Sequence, residues 1–118
     1  MDSTIYQVHI DNISTIIDNT AGNMELTIFE LETFLADIEY KYKRLQHRLT
    51  LIESQLFLNA YDDTSKRKKT LDMVRSIVNT NKDVKLMRDE TYLYNKLIKI
   101  IKSQISLHTR LYSMKKNS

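Results

Sequence analysis

Three histidines and one pair of aspartates are the side chains best suited to metal binding or acid–base chemistry. His9, His47 and His108 lie far apart, and none has a partner at the spacing of a helical zinc site. Asp62 and Asp63 are adjacent in a polar stretch, where carboxylates usually serve as solvated charges. The chain has no Cys and one Gly, which excludes thiolate sites and Gly-rich phosphate loops. We therefore predict a protein without enzyme activity, metal or cofactor.

A run of basic residues at 66–69 points to a different chemistry, the binding of a polyanion. Lys and Arg neutralise phosphates and release counterions, which gives binding that ignores sequence and weakens with salt. Tyr61 lies just before this run and offers a ring on which an unpaired base could stack. The candidate phosphate contacts are Lys66, Arg67, Lys68, Lys69, Arg75, Lys82, Lys85 and Arg88. Such a run is also typical of a solvated loop or a nuclear import signal, and that alternative stays open.

The charged residues are unevenly distributed along the chain. Residues 1–40 contain eight acidic side chains and no Lys or Arg, whereas residues 41–118 contain 18 basic and seven acidic side chains. The first third therefore carries a formal charge of −8 and the rest +11. Such asymmetry indicates a surface for a polyanion or a charged partner. The alternative is that the charges only keep the helix surfaces solvated.

The composition favours helices over strands. With 118 residues one domain is the default, and with no Pro and one Gly the chain lacks the residues that tight hairpin turns need. The N-terminus is acidic and lacks the apolar core of a secretion signal. No apolar run approaches the roughly 18 residues of a membrane span. These features predict a soluble, cytoplasmic protein.

One apolar pattern predicts a long helix over about residues 20–59. Ten apolar residues alternate at spacings of four and three, as in a coiled-coil seam. They are Met24, Ile28, Leu31, Leu35, Ile38, Tyr42, Leu45, Leu49, Ile52 and Leu56. This helix would be on the order of 60 Å long, whereas a compact chain of this size has a radius of gyration of about 13–14 Å. The helix must therefore lie in a long hairpin, in an oligomer or in both.

The predicted last helix, at about residues 82–114, has an apolar face too wide for one partner helix. One stripe consists of Leu86, Leu93, Leu97, Ile100, Leu107, Leu111 and Met114. The adjacent stripe consists of Tyr94, Ile98, Ile101, Ile105 and Tyr112. A face of about 180° suggests contact with the long helix and with a neighbouring subunit. The residues predicted at the oligomer interface are Leu45, Leu49, Ile52, Leu93, Leu97, Ile101 and Ile105.

A basic amphipathic helix can instead lie on an anionic membrane. This alternative ranks third, because the long helix already offers the apolar face a protein partner. No membrane partner is therefore expected.

The predicted architecture is a single all-α domain. It is a long-helix hairpin with coiled-coil-like packing, completed by homo-oligomerisation. An acidic segment at 1–23, helical from about 3 to 17, precedes the long helix. A basic connector at 60–69 and a short helix at about 70–78 follow. Thr80 and Asp83 resemble a capping box before the last helix.

Four short motifs occur in an order seen in one family of helical proteins. They are IDNT at 17–20, IESQ at 52–55, YDD at 61–63 and NKDV at 81–84. From residue 17 to the C-terminus the chain resembles the phage recombination mediator family typified by the T4-type UvsY protein. That type carries basic residues near the end of its long helix, where this chain has FLNAY, and the basic run here follows a little later.

The resemblance implies an all-helical, non-catalytic subunit that assembles into a ring-shaped homo-oligomer and acts in the host cytoplasm. It also implies three partners: single-stranded DNA, a RecA-like recombinase and a single-strand-binding protein. The recombinase would be loaded onto strands that the binding protein covers. The alternative function is a coiled-coil structural or adaptor protein, which would share the fold and the oligomer but would not bind nucleic acid.

Overall fold

The protein consists of four helices in a computed structural model that describes residues 3–67 and 71–117, without the side chains of residues 63–67. They are α1 (Ser3–Asn19), α2 (Met24–Arg67), α3 (Leu71–Thr80) and α4 (Lys82–Lys116). These described residues contain no strand, so the prediction of an all-α fold is confirmed. The molecule is elongated, with principal extents of 72 × 27 × 16 Å and a radius of gyration of 20.5 Å.

Helices α2 and α4 form an antiparallel hairpin along the length of the molecule. At one end the hydroxyl of Tyr112 donates a hydrogen bond to the carboxylate of Glu25. Toward the other end Arg88 Nε lies 3.4 Å from Glu53 Oε1. Helix α1 packs on both long helices near the first end, and α3 packs on both near the second. Three helices therefore pack together at each end, and two lie between.

The apolar seam of α2 faces α4. Leu31 and Ile38 from the seam are fully buried against Leu97 and Ile101 of α4, and α1 adds Ile13 to this cluster. A second group of buried side chains, near α3, consists of Val74, Val78 and Val84. The spacing of branched aliphatic residues thus determines which face of each long helix the hairpin buries.

Three of the seven residues predicted at an interface between subunits are buried within the single chain instead. Leu97 and Ile101 are 0% exposed and Leu45 is 7% exposed within the single chain. The other four are partly buried, and they are Leu49, Ile52, Leu93 and Ile105. The assignment is corrected for Leu45, Leu97 and Ile101, because a side chain that its own chain covers offers no surface to a second chain.

Helix α2 begins a few residues later than predicted, because residues 20–23 form the turn after α1. Thr20 N donates to Ile16 O at 3.1 Å, which closes the end of α1. The Asn23 side chain caps α2 by accepting a hydrogen bond from Leu26 N at 3.1 Å. The buried hydroxyl oxygens of Thr20 and Thr27 lie 2.6 Å apart and tie the turn to α2.

Gly22 in this turn has a φ of +88°, a conformation that residues with a Cβ rarely adopt. A Cβ would meet nothing within 4 Å, so only the backbone conformation resists substitution. We expect Gly22→Ala to lower the free energy of unfolding by about 1 kcal/mol, and Gly22→Asn by less, since Asn tolerates this region. Chemical denaturation of the three proteins measures this difference. An Ala variant as stable as the parent would contradict the positive φ of Gly22 in this turn.

Helix α2 also continues beyond its predicted end, through most of the predicted connector, as far as Arg67. Residues 59–67 contain no Gly or Pro, so a helix that is already nucleated extends through them at little cost. This corrects the connector predicted at 60–69, of which residues 68 and 69 lie outside the described residues.

The last two helices lie within two residues of their predicted bounds. The cap of α4 differs from the predicted capping box. Asn81 caps the helix, because its side-chain oxygen accepts hydrogen bonds from two backbone N–H groups of the first turn. The Thr80 hydroxyl instead donates to Ser76 O at 2.8 Å within α3.

His9 lies between two aromatic rings where α1 packs on the hairpin. Its ring centroid is 6.0 Å from that of Phe34 and 6.4 Å from that of Tyr94. Its Nδ1 is buried and has no hydrogen-bond partner among the described residues. Burial is the main cause that lowers the pKa of His9 from its usual 6.5; the charge of Lys41 adds to the effect and that of Asp37 opposes it. The docked position of α1 therefore favours a neutral imidazole.

We expect thermal stability to fall as the pH drops below about 6.5, because His9 binds a proton more readily in the unfolded chain. Above that pH the imidazole is neutral in both states and the effect disappears. His9→Phe keeps an aromatic ring and removes this titration. Its melting temperature should therefore fall less than that of the parent between about pH 7.5 and 5.5. Equal falls in both proteins would contradict this environment for His9.

Candidate nucleic-acid interface

The basic run predicted from the sequence begins on the last turn of α2. Lys66 and Arg67 belong to this helix, and their side chains lie outside the described residues. Lys68 and Lys69 lie outside them altogether. The first two residues of the basic run therefore belong to α2.

The other predicted phosphate contacts lie on α3 and the start of α4. They are Arg75, Lys82, Lys85 and Arg88. All are exposed except Arg88, which is half-buried. Its Nε lies 3.4 Å from Glu53 Oε1, and its Nη2 donates to Asn79 Oδ1 at 3.0 Å. Arg88 therefore links α4 to both α2 and α3, and Arg75 and Arg88 line one groove.

A denser basic cluster, absent from the predicted site, lies in the middle of α2. Five of the eight residues at 41–48 are Lys, Arg or His, and none is acidic. Lys41 Nζ forms an ion pair with Asp37 Oδ2 at 3.1 Å. The other four are exposed, and we call them the basic ridge: Lys43, Arg44, His47 and Arg48.

The basic ridge continues into an open helix face that points away from the α2 seam. Side chains three, four or seven positions apart share a helix face. Leu51 and Leu58 follow Arg44 at spacings of seven and are 57% and 59% exposed. We call this face the outer track: Arg44, His47, Leu51, Ser54 and Leu58. At 1.5 Å per residue it extends for about 21 Å.

Exposed tyrosines lie beyond both ends of the outer track. Tyr40 is 61% exposed, and its ring centroid lies 5.8 Å from the Arg44 guanidinium carbon. Tyr61 is 54% exposed, and its ring is nearly parallel to that of Phe57, with centroids 6.3 Å apart. Aromatic rings thus flank the cations and exposed leucines on one side of α2.

A surface groove of about 500 Å³ lies beside the far end of the outer track, between α2, α3 and α4. Ser54 and Leu58 of the track line it, together with the apolar side chains of Phe57 and Val78. The guanidinium-bearing side chains of Arg75 and Arg88 contribute positive charge to its lining.

Residues 41–90, which contribute the basic ridge and the groove, carry the excess of positive charge in the sequence. Residues 91–118 contain six basic and no acidic side chains, and they lie against the acidic start of α2 because the hairpin is antiparallel. These opposite charges offset each other at the α1 end. Residues 41–90 contain 12 basic and seven acidic side chains, a net charge of +5. The excess positive charge therefore belongs to the part with the basic ridge and the groove.

No family model, no curated protein and no solved structure matches this chain. Among residues 3–67 and 71–117, no group of three or more His, Asp or Glu side chains is placed to hold a metal ion. No helix in that part of the chain is long and apolar enough to cross a membrane. The candidate interface therefore rests on the charge and shape of the surface.

Proposed function

We propose that the protein is a non-catalytic recombination mediator that binds single-stranded DNA non-specifically along the outer track of α2. The observation that carries the proposed DNA binding is the basic ridge, where three Lys or Arg side chains and a histidine are exposed on adjacent turns. Such a row can neutralise successive phosphates and release their counterions. The contacts predicted for residues 66–69 stay a prediction, because their side chains lie outside the described residues.

The aromatic side chains beside the ridge favour a single strand over a duplex. Tyr40 and Tyr61 expose ring surface near the two ends of the outer track. Stacking on such rings requires an unpaired base, which a duplex does not offer, and it tolerates any base sequence.

The role in loading a RecA-like recombinase rests on the family resemblance described above. In this role the protein would act on strands that a single-strand-binding protein already covers. The exposed acidic residues of α1, Asp11 and Asp18, add a surface of opposite sign that suits contact with a basic region of a protein partner.

Assembly into a homo-oligomer, with a ring as the expected form, is part of the proposal because one chain leaves much surface uncovered. Its accessible surface is 8331 Å². A compact monomer of 14.0 kDa exposes about 6,700 Å². The difference of about 1,600 Å² is enough for two standard-sized contacts per subunit, each burying about 800 Å² per partner.

The apolar residues on one side of α4 are the best candidates for this contact. We call them the α4 flank: Leu86, Leu93, Ile100, Leu107, Leu111 and Met114. Five of the six recur at intervals of seven, as in a coiled-coil seam. Leu86 is 58% and Met114 69% exposed, so the described residues cover this stripe of the wide apolar face only in part.

Fluorescence anisotropy with a labelled oligonucleotide, single-stranded and then duplex, tests the binding proposal across a salt series. Light scattering on the same samples gives the mass of the species that binds. We expect a defined oligomer that prefers the single strand, with affinity that falls steeply as salt rises. An intact oligomer with no affinity at low salt would overturn the proposal.

The second candidate is a structural or adaptor protein that contacts only proteins. The specific observation in its favour is the exposed apolar surface at the α1 end of α2, where Phe29 is 65% and Leu26 40% exposed. This candidate predicts the same fold and assembly with no binding of nucleic acid, so the anisotropy experiment separates the two.

A further inference from the structure

We infer that the groove between α2, α3 and α4 is a subsite for one unpaired nucleobase and its flanking phosphates. This inference rests on the proposed binding of single-stranded DNA and deepens it, because phosphate contacts alone do not require such a subsite. The groove has a volume of about 500 Å³, which lies in the range of small-molecule sites and is larger than a single ion would fill.

The lining of the groove suits the flat face of a base. Phe57, Leu58 and Val78 supply apolar surface. The ring of Phe57 is held nearly parallel to that of Tyr61, at an interplanar angle of 12°. A base that enters beside Phe57 would extend an aromatic stack that the protein has already ordered, which reduces the entropic cost of binding.

The charges of the groove suit the phosphates on either side of that base. Arg75 is exposed at the groove, and Arg88 is held there by its contacts with Glu53 and Asn79. The Glu53 carboxylate would repel a phosphate, but the Arg88 guanidinium pairs with it at 3.4 Å. The groove therefore presents a net positive charge to its ligand.

The position of the groove connects it to the proposed path of the strand. Ser54 and Leu58 belong both to the groove and to the outer track. A strand whose phosphates contact the basic ridge would reach the groove by following the same face of α2. This continuity favours a nucleic acid over an acidic, apolar peptide, which would fill the groove without needing the ridge.

Single tryptophans offer a direct test, because the chain has no Trp. We expect the emission of Phe57→Trp to be quenched by a thymidine oligonucleotide and not by an abasic oligonucleotide of equal length. Phe29→Trp is the matched control, since Phe29 is exposed at the opposite end of the same helix. Its emission should change little with either oligonucleotide.

Affinity measurements complete the test. Phe57→Leu keeps an apolar side chain and removes the ring, so we expect a loss of about five- to a hundredfold for the thymidine oligonucleotide. The affinity for the abasic oligonucleotide and the salt dependence of both should stay as in the parent, as should the melting temperature within a few degrees.

Equal affinity of parent and Phe57→Leu for the thymidine oligonucleotide would overturn the subsite while leaving the phosphate interface intact. Quenching of Phe57→Trp by an acidic, apolar peptide but not by the oligonucleotide would assign the groove to a protein partner. Failure of the parent to bind either oligonucleotide would overturn the proposed function together with the subsite.

Discussion

Replacing Lys43, Arg44 and Arg48 together with Ala is expected to weaken binding of single-stranded DNA by more than tenfold near physiological salt. The three cations are exposed on adjacent turns of α2, so the variant should keep the fold of the hairpin. Loss of three phosphate contacts should reduce the slope of log affinity against log salt by about 2. Anisotropy over a salt series measures both quantities.

The matched control removes the same charge from another surface. Lys99, Lys102 and Arg110 are exposed on α4, in the part of the molecule where basic and acidic side chains offset each other. Their replacement with Ala should change the affinity far less, since only the net charge is affected. Equal losses in the two triple variants would contradict a local site and indicate attraction to the overall charge. A third variant, with residues 66–69 changed to Ala, measures what the sequence-predicted run contributes.

The second large effect is a contrast between two leucines of α4. Leu97 is 0% exposed, so Leu97→Asp places a carboxylate in the core without a partner. Burying this carboxylate costs several kcal/mol, which is comparable to the whole free energy of unfolding of about 5–15 kcal/mol expected for a small protein. We expect loss of helical circular dichroism, or a strongly lowered melting temperature.

Leu107→Asp changes the same residue type on the α4 flank, where the side chain is 40% exposed. This variant should remain helical because the new carboxylate stays in water in a single chain. It should lower the mass measured by light scattering, since a charge in an apolar subunit contact opposes association. A stable, full-sized oligomer with Leu107→Asp would exclude the α4 flank as the contact. A fully stable Leu97→Asp would contradict the hairpin core.

The pattern of apolar residues predicts the four helices and the buried face of α2. Leu31 and Ile38 recur on the seam at an interval of seven, and only a helix brings them together on one face. Helix ends were harder to predict, because they depend on single hydrogen bonds. The turn before α2 needs the paired hydroxyls of Thr20 and Thr27, a contact between residues seven apart that no periodicity indicates.

The basic ridge could have been found by counting charge in short windows. Its members form two adjacent pairs, separated by Leu45 of the apolar seam and Gln46, so a search for runs of three or more basic residues finds only residues 66–69. The groove could not be predicted, because Arg75, Arg88 and Phe57 come together only through the packing of three helices. The division of the wide α4 face between core and flank likewise depends on where α2 and α1 contact it.

The most direct test of the proposed interface is lysine acetylation of the intact protein with and without a saturating single-stranded oligonucleotide, read out by mass spectrometry. We predict that the oligonucleotide slows the modification of Lys43 while Lys99 and Lys102 in the same molecules react as before. A Lys43 that reacts equally fast with and without bound DNA would contradict a DNA-binding surface on the outer track of α2.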